Sequence, residues 1–142
     1  MMISTRGRYA LRVLADLATH DPGAFIPMKD VAERQDVSLK YIEKIMPVLT
    51  KNGLVEGVHG KGGGYRLHRG PEEITVGEIL RLTEGSLAPV ACLEKGAAPC
   101  PRAAGCLTLP MWTKLDGMIE TYLDSVTLKD LLPSEGGNEY VI

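Results

Sequence analysis

The chain has 142 residues, and its 44% hydrophobic content can fill a modest core, while 24% charged residues argue against disorder. No stretch approaches the run of about 18 apolar residues that a membrane span requires, and residues 1–8 lack the apolar run of a secretory signal. We therefore expect a cytoplasmic protein that does not bind a membrane, built as one small domain or as a small domain with an extension.

The formal net charge of −2 is unevenly distributed along the chain. Residues 1–70 hold eleven Lys and Arg against seven Asp and Glu, a net +4, whereas residues 71–142 hold five against eleven, a net −6. A basic half followed by an acidic half suggests that only the first half binds a polyanion. A chance excess followed by a solvated acidic tail would give the same totals.

Three helices are expected in the first third of the chain. Apolar residues from Tyr9 to Ala18 recur at helical spacing, and the sequence Asp-Pro-Gly at 21–23 ends this pattern. A second helix is expected to begin near Pro27 and to end near Arg34. After a turn too short for another element, Ser38 is the candidate N-cap of a third helix. Helix, short turn and capped helix predict a helix-turn-helix motif.

The third helix is expected to carry both a core face and a solvent face. Leu39, Ile42 and Met46 are expected to face inward, because they recur at helical spacing. Pro47 predicts a kink or a local break late in the helix. The pair Asn52–Gly53 predicts a left-handed cap at its end.

A β-hairpin is predicted directly after the helix-turn-helix. Two short strand-like runs, 54–58 and 65–67, flank the glycine-rich segment 59–64. In this position a hairpin forms the wing of a winged helix. The glycine run lacks the Gly-Lys-Ser/Thr ending of a phosphate-binding loop and leads into a strand rather than a helix, so it does not favour a nucleotide site.

The second half of the chain is predicted to hold two helices separated by a loop. Thr75–Glu78 forms a Thr-x-x-Glu capping box for a helix that stops before Gly85. Residues 86–106, with three prolines and all three cysteines, are expected to form a loop. A long helix is expected to follow, with an apolar stripe made of Met111, Trp112, Leu115, Met118, Ile119, Tyr122, Leu123 and Val126. A small domain cannot easily cover this stripe, so we expect it to pack against a partner subunit; the alternative is packing on its own domain.

These elements predict a mainly α fold, a winged helix-turn-helix with a small β-hairpin wing and a long C-terminal dimerisation helix. Thr127 is expected to cap a short final helix through Leu132, and the sequence from Pro133 is expected to be disordered. The predicted parts are a DNA-binding domain (1–85), a cysteine-bearing sensor loop (86–106), the dimerisation helix with the short final helix (107–132) and a disordered tail (133–142).

The third helix is the expected recognition helix, because the N-terminal turns of such a helix reach base edges in the major groove. Lys40 can donate to guanine O6 and N7, and Glu43 can accept from cytosine N4. The alternatives are a plain phosphate contact for Lys40 and a solvent-facing charge for Glu43. The candidate DNA-contacting residues of this helix are Ser38, Lys40, Tyr41, Glu43 and Lys44.

Two further regions are candidates for contact with DNA. At the wing tip, His59 and Lys61 suit the minor groove or its rim phosphates, unless the tip is merely solvated. At the start of the first helix, hydroxyls, guanidinium groups and free backbone N–H groups can bind phosphate. The candidates there are Ser4, Thr5, Arg6 and Arg8.

Cys92, Cys100 and Cys106 are the only cysteines of the chain and lie within fifteen residues. An odd number of cysteines in a cytoplasmic chain is a poor disulfide framework, whereas a loop lets three thiolates converge on an iron–sulfur cluster. The paired Cys-x2–4-Cys spacing of zinc sites is absent. Three interpretations stay open: a cluster-bound sensor, a cluster-free thiol switch, and cysteines that regulate nothing.

Several short blocks of the sequence occur together in one order. They are Ser4–Leu11, Ser38–Glu43, Lys51–Val55, Gly62–Tyr65, Thr75–Ile79, Cys106–Thr108, Trp112 and Thr127–Leu128. Together they resemble the Rrf-type (IscR/NsrR/CymR) family of bacterial winged-helix regulators, over residues 1 to about 132. The resemblance implies a homodimer with crossed long helices, a palindromic operator in double-stranded DNA and, in many members, a cysteine-bound 2Fe–2S or 4Fe–4S cluster. By position it assigns base reading to Lys40 and Glu43, and a wing contact to His59, where some relatives carry Arg.

The resemblance leaves the fourth cluster ligand open. IscR-like members place a His three residues after the third cysteine, where this chain has Leu109. NsrR-like members use a carboxylate near the start of the partner's first helix, where this chain has Arg8. Glu94, Asp116, a solvent species or a small thiol are the remaining candidates. The expected cofactor is therefore a 2Fe–2S or 4Fe–4S cluster, which the apo form of the protein would lack.

Other classes of function are less well supported by the sequence. No Ser/His/Asp or Cys/His arrangement can be argued from the chain, so we do not expect an enzyme. A small iron–sulfur carrier that kept a DNA-binding fold is one alternative, although an intact recognition helix and wing argue against it. A repressor that docks a metabolic enzyme, as CymR-like members allow, is another.

Overall fold

The computed structural model describes residues 2–20 and 23–133. These residues form five α-helices, which are α1 (Thr5–Thr19), α2 (Met28–Gln35), α3 (Leu39–Lys51), α4 (Val76–Glu84) and α5 (Leu109–Ser125). They also form one antiparallel hairpin of two strands, β1 (Val55–Val58) and β2 (Gly64–Leu67). The prediction of a mainly α, winged helix-turn-helix fold is confirmed. None of the described helices is long and apolar enough to cross a membrane.

Two of the first three helices begin with a serine side-chain cap. The Ser4 hydroxyl accepts from the backbone N–H of Gly7, so Ser4 is the N-cap of α1. Pro27 is the N-cap of α2 rather than its first residue. The Ser38 hydroxyl accepts from the N–H of Tyr41, which confirms Ser38 as the N-cap of α3.

Pro47 lies inside α3 without interrupting it, so the expected break is wrong. Ile45, Met46 and Leu49 are buried on both sides of the proline. Burying three such side chains stabilises the helix by more than the roughly 3 kcal/mol that a proline in a helix interior costs. Gly53 follows the helix with a φ of +76°, which confirms the left-handed cap.

One apolar core holds the N-terminal helices, the base of the hairpin and the segment after α5 together. It is built around completely or almost completely buried side chains of α1, α2 and α3, and Leu128 enters it from the C-terminal side. The N–H of Leu128 donates to the Ile74 carbonyl, and the N–H of Val76 donates to the Val126 carbonyl. The chain after α5 therefore returns to the domain that the first helices build.

The wing is attached to the segment that precedes α2. The N–H of Ile26 donates to the Tyr65 carbonyl at 2.8 Å, and the N–H of Tyr65 donates to the Ile26 carbonyl at 2.9 Å. A Cβ atom at Gly64 would lie 2.3 Å from the Ile26 carbonyl oxygen, so only glycine permits this close approach. The hairpin is thereby fixed relative to the helix-turn-helix.

The second half of the chain forms the predicted helices and loop, with two differences in detail. The Thr75 hydroxyl accepts from the N–H of Glu78, but the Glu78 carboxylate binds Arg69, so only half of the expected capping box forms. The loop 86–106 contains only two short 3-10 turns, Ala91–Leu93 and Ala103–Gly105.

The expected final helix is a single 3-10 turn, Lys129–Leu131. The Thr127 hydroxyl accepts from the N–H of Asp130, as expected of a cap. The predicted disordered tail covers residues 133–142. Apart from Pro133, these residues lie outside the part of the chain that the structure describes. The division of the chain into domains stays a prediction.

A buried carboxylate joins α1 to the end of α2. The Asp16 side chain is fully buried and accepts hydrogen bonds from Arg34 Nε and Nη2, at 3.1 and 2.7 Å, and from Gln35 Nε2 at 2.9 Å. Burial alone would raise the pKa of Asp16, but the hydrogen bonds from Arg34 and Gln35 outweigh it and hold the pKa below its usual value. This contact fixes the first helix against the helix-turn-helix.

We expect Asp16→Asn to lower the free energy of unfolding by about 1–3 kcal/mol at pH 7, because charge-assisted hydrogen bonds are lost. A carboxylate with a lowered native pKa stabilises the fold above its unfolded pKa of about 4, and this contribution is lost as the pH falls below that value. Thermal unfolding should therefore show a difference in Tm between wild type and Asp16→Asn that shrinks below about pH 4. Glu33→Ala, which changes an exposed residue of α2, is the control. An equal difference at pH 3 and pH 7 would contradict the assignment.

Candidate nucleic-acid interface and cysteine loop

The exposed side of α3 carries three charged side chains. Lys40, Glu43 and Lys44 are all exposed, and no residue within 2–20 or 23–133 forms a hydrogen bond or ion pair with their charged groups. The opposite side of the helix is buried, so the helix cannot rotate to hide these groups. The three residues are free to contact another molecule.

Two first-turn residues of α3 lie differently from the sequence-based expectation. Leu39 was expected inward but is 38% exposed, because it lies at the edge of the buried face and the core does not extend to the first turn. Tyr41 was expected on the exposed side but is half-buried, and its ring meets that of Tyr9 edge-on at 5.3 Å between centroids. Tyr41 therefore also holds α3 against α1.

The wing presents a basic tip on a rigid base. His59 and Lys61 are exposed, and Gly60 and Gly62 turn the chain between the strands with φ values of +93° and +78°. At the base, Arg66 lies over the Phe25 ring with its guanidinium carbon 4.3 Å from the centroid. It also donates to Glu56, which holds the pKa of that carboxyl below its usual value.

The start of α1 differs from its expected role in one respect. Arg6 and Arg8 are exposed, and Arg8 Nη2 donates to the Thr5 hydroxyl at 3.2 Å. Ser4, however, uses both its backbone N–H and its hydroxyl to donate to Glu84 Oε1, at 2.8 and 2.7 Å. This contact competes with the phosphate contact expected for Ser4. Glu84 lies 80 residues further along the chain, and no signal in the sequence pointed to it.

The three cysteines do not converge in this conformation. Cys92 and Cys100 are exposed, Cys106 is half-buried, and all three are unpaired. Among the described residues no three Cys, His, Asp or Glu side chains lie close enough together to hold a metal ion. The donor chemistry of three thiols suits an iron–sulfur cluster, but the present arrangement of the loop does not fit one.

Cys106 differs from the other two cysteines in its surroundings. Its Sγ lies 3.5 Å from Thr108 Oγ1, at the N-terminal end of α5. Hydrogen bonds from the Thr108 hydroxyl and from the backbone N–H groups of Thr108 and Leu109 lower the pKa of the Cys106 thiol. Of the candidate fourth ligands, Glu94 is exposed and Asp116 is half-buried in a cavity of about 290 Å³ between α4, the loop and α5.

The predicted apolar stripe of α5 divides into two faces. Trp112, Ile119, Leu123 and Val126 are half-buried. Leu123 and Val126 pack against buried residues of α4 and of the cysteine loop. Met111, Leu115, Met118 and Tyr122 are 54%, 38%, 60% and 62% exposed, and we call these four residues the outer stripe. A run of four large apolar side chains along one exposed helix face is typical of a surface that another molecule covers.

Comparisons with known proteins agree with this geometry. The model of the Rrf2 family, described as iron-dependent transcriptional regulators, matches residues 3–134. The chain is 37% identical over 132 residues to the HTH-type transcriptional regulator IscR of Aliivibrio salmonicida, covering 93% of this chain and 77% of that protein. It is 39% identical over 132 residues to the protein rrf2 of Nitratidesulfovibrio vulgaris, covering 93% and 87% of the two chains.

Solved structures give the same answer for the fold. CymR, the global cysteine regulator of B. subtilis, is similar with a TM-score of 0.76 at 34% identity, covering 92% of this chain and 95% of that one. IscR of T. potens is similar with a TM-score of 0.72 at 37% identity, covering 92% and 85%. The names of these relatives are those of regulators and not of enzymes, as we expect for this chain.

Proposed function

The chain belongs to the Rrf2 family of transcriptional regulators, and we propose that it acts as a homodimer that binds a palindromic operator in double-stranded DNA. The observation that carries this proposal is the exposed side of α3, where Lys40, Glu43 and Lys44 have no partner in the described part of the chain. A capped helix with a buried back and a charged front suits the major groove.

Each part of the proposed interface has a distinct task. Lys40 donates to guanine O6 and N7, and Glu43 accepts from cytosine N4, so these two residues read the sequence. The wing residues His59 and Lys61 contact the minor groove or its phosphates. The remaining residues contact phosphates and fix the register, and they are Thr5, Arg6, Arg8, Ser38 and Lys44.

We expect Lys40→Ala and Glu43→Ala each to weaken operator binding by about 1–3 kcal/mol, which is the cost of losing a base contact. Fluorescence anisotropy with an operator found by footprinting would measure the change. Lys129→Ala, an exposed lysine outside the helix-turn-helix and the wing, is the control for net charge. Loss of affinity that is equal for operator and random DNA would show that Lys40 and Glu43 do not read bases.

Dimerisation is the second part of the proposal, and the outer stripe is its surface. The stripe runs along one side of α5, while the inner side of the same helix is held by its own domain. A second copy of the chain that lays the same stripe across it would cover both sets of side chains, as a two-fold dimer requires.

We expect Met118→Glu to convert the dimer into a monomer, because a carboxylate in the centre of an apolar interface has no partner there. Light scattering after size exclusion measures the mass. Thr113→Glu, an exposed position on another side of α5, introduces the same charge and should leave the dimer intact. A monomeric wild type, or a dimeric Met118→Glu, would contradict the assignment of the stripe.

The finer proposal concerns what the cysteine loop senses. We propose that Cys92, Cys100 and Cys106 bind an iron–sulfur cluster after the loop rearranges. Support comes from the three thiols on one loop and from the description of the family as iron-dependent. A bound cluster would supply sensitivity to redox state and to iron supply. The other proposal for the same loop is a cluster-free thiol switch.

Anaerobic purification distinguishes these two proposals. A cluster predicts a coloured protein with iron and sulfide in equal amounts, and Cys→Ala at any of the three positions should remove most of the colour. Glu33→Ala, which changes an exposed residue of α2 and no thiol, is the control for general damage to the fold. A colourless protein without iron, whose operator binding nevertheless responds to oxidants, would overturn the cluster and support the thiol switch.

A further inference from the structure

A small apolar cluster joins four parts of the molecule that are far apart in sequence. Its buried members are Val76 and Leu80 of α4 and Leu87 of the loop, and its partly buried members are Ile3, Leu11, Leu123 and Val126. We call these seven residues the junction. Leu11 also packs against the main core, and the junction brings the start of the cysteine loop together with Ile3, which directly precedes Ser4.

A charged contact lies beside the junction. Glu84 is the last residue of α4, and its Oε1 accepts from the N–H and the hydroxyl of Ser4 at the start of α1. A carboxylate placed at the N-terminal end of a helix, as Glu84 is at the start of α1, is stabilised by the dipole of that helix and by hydrogen bonds from its free N–H groups. Glu84 thus supplies to α1, from another helix, an anion that the first turn of α1 does not contain.

The close approach of α4 to α1 requires a glycine. A Cβ atom at Gly7 would lie 2.3 Å from Glu84 Oε1 and 3.1 Å from the Leu80 side chain. The nearest atom is the far end of a flexible side chain, so a methyl group at Gly7 can displace the Glu84 carboxylate without opening the core. Gly7 therefore leaves room for the contact between Glu84 and Ser4.

The other side of α4 is held by α5. Arg81 Nε donates to Glu120 Oε2 at 3.0 Å, and Arg81 Nη1 donates to Asp124 Oδ1 at 2.8 Å. A bidentate guanidinium between two carboxylates restrains rotation of the helix as well as its distance. With Arg81 fixed by α5, movement of the loop acts mainly on the C-terminal end of α4, where Glu84 lies.

We propose that the contact between Glu84 and Ser4 couples the cysteine loop to the DNA-contacting start of α1. The loop begins two residues after Glu84, and Leu87 anchors it in the junction only five residues before Cys92. Leu87 is the only buried residue between Glu84 and Cys92, so a rearrangement of the loop or a bulky group at Cys92 acts on this short segment. Withdrawal of Glu84 leaves the Ser4 donors without their acceptor, so the first turn of α1 frays and Arg6 and Arg8 lose their fixed direction.

This inference rests on the proposed function, because it needs a start of α1 that contacts DNA. Glu84 is in this view a positioning residue that touches no base or phosphate. The coupling has two states, Glu84 bound to Ser4 and Glu84 withdrawn, and the loop biases the choice between them.

The test uses a probe that modifies only the loop. All three cysteines of the 142-residue chain lie there, so N-ethylmaleimide labels no thiol elsewhere in this chain. Operator affinity is measured with and without the label for wild type, Glu84→Ala and Gly7→Ala, which break the same contact from its two sides. Glu33→Ala, an exposed residue of α2, is the charge-matched control. Hydrogen exchange of the peptide 2–10 reports directly on the start of α1.

We expect the label to weaken operator binding of the wild type and of Glu33→Ala by about 5-fold or more, a typical size for coupling between sites. In Glu84→Ala and Gly7→Ala the same label should change affinity by less than about 2-fold. Hydrogen exchange at 2–10 should rise on labelling in the wild type and be raised already in both variants. If one of the two variants fails to fold, the other still tests the contact between Glu84 and Ser4.

Different failures have different meanings. Variants that keep the full response to the label would overturn the coupling and leave the DNA-binding regulator standing. A wild type that binds its operator equally well with and without the label, or whose exchange at 2–10 does not change, would also overturn it. A wild type that binds no DNA in either form would overturn the proposed function itself.

Discussion

The burial of one side of α3 is the constraint on which the rest of the molecule depends. Ile42, Ile45, Met46 and Leu49 are at most 2% exposed, and they pack into the core that α1 and α2 build. With this side fixed, the charged residues on the other side can point only to solvent or to a ligand. The Asp16–Arg34 pair adds direction to this packing, because apolar contacts alone tolerate sliding of one helix over another.

Helix α4 packs between α1 and α5 in the second half of the chain. It contacts α1 and α5 at close range, and glycines on its two sides make this possible. Gly7 of α1 faces Glu84, and Gly77 of α4 faces Asp124, where a Cβ atom would lie 2.2 Å from the carboxylate oxygen. Close backbones bring charged side chains within hydrogen-bonding distance across each gap. Helix α4 therefore lies between α1 and α5, and it links the N-terminal helices to the helix that carries the outer stripe.

The cysteine loop is held differently from the helices on either side of it. Leu87 is buried at its start, whereas Cys92 and Cys100 are exposed and 3-10 turns are its only regular structure. A segment with few buried apolar contacts can rearrange at low cost in free energy. The proposed sensing role needs this property, since a loop already packed into the core would resist the change that a bound group would impose.

The sequence by itself determined the local elements of this protein. The caps at Ser4, Ser38 and Thr75, the helical periodicities and the glycine-rich wing are encoded by neighbouring residues, and hydrogen bonds between neighbours need no distant partner. The exposed residues Lys40, Glu43 and Lys44 were likewise predictable from the helix period. The sequence blocks that resemble the Rrf-type regulators predicted the function of a transcription regulator, which no single helix or strand indicates by itself.

Only the tertiary structure decided which partners meet across long stretches of chain. It placed Glu84 on Ser4, turned Tyr41 towards Tyr9, and divided the stripe of α5 into an inner and an outer face. It also left the three cysteines apart, although they are close in sequence. Helical spacing predicts on which face of a helix a residue lies, but it does not predict which other element packs against that face. Those neighbours are fixed when the helices pack.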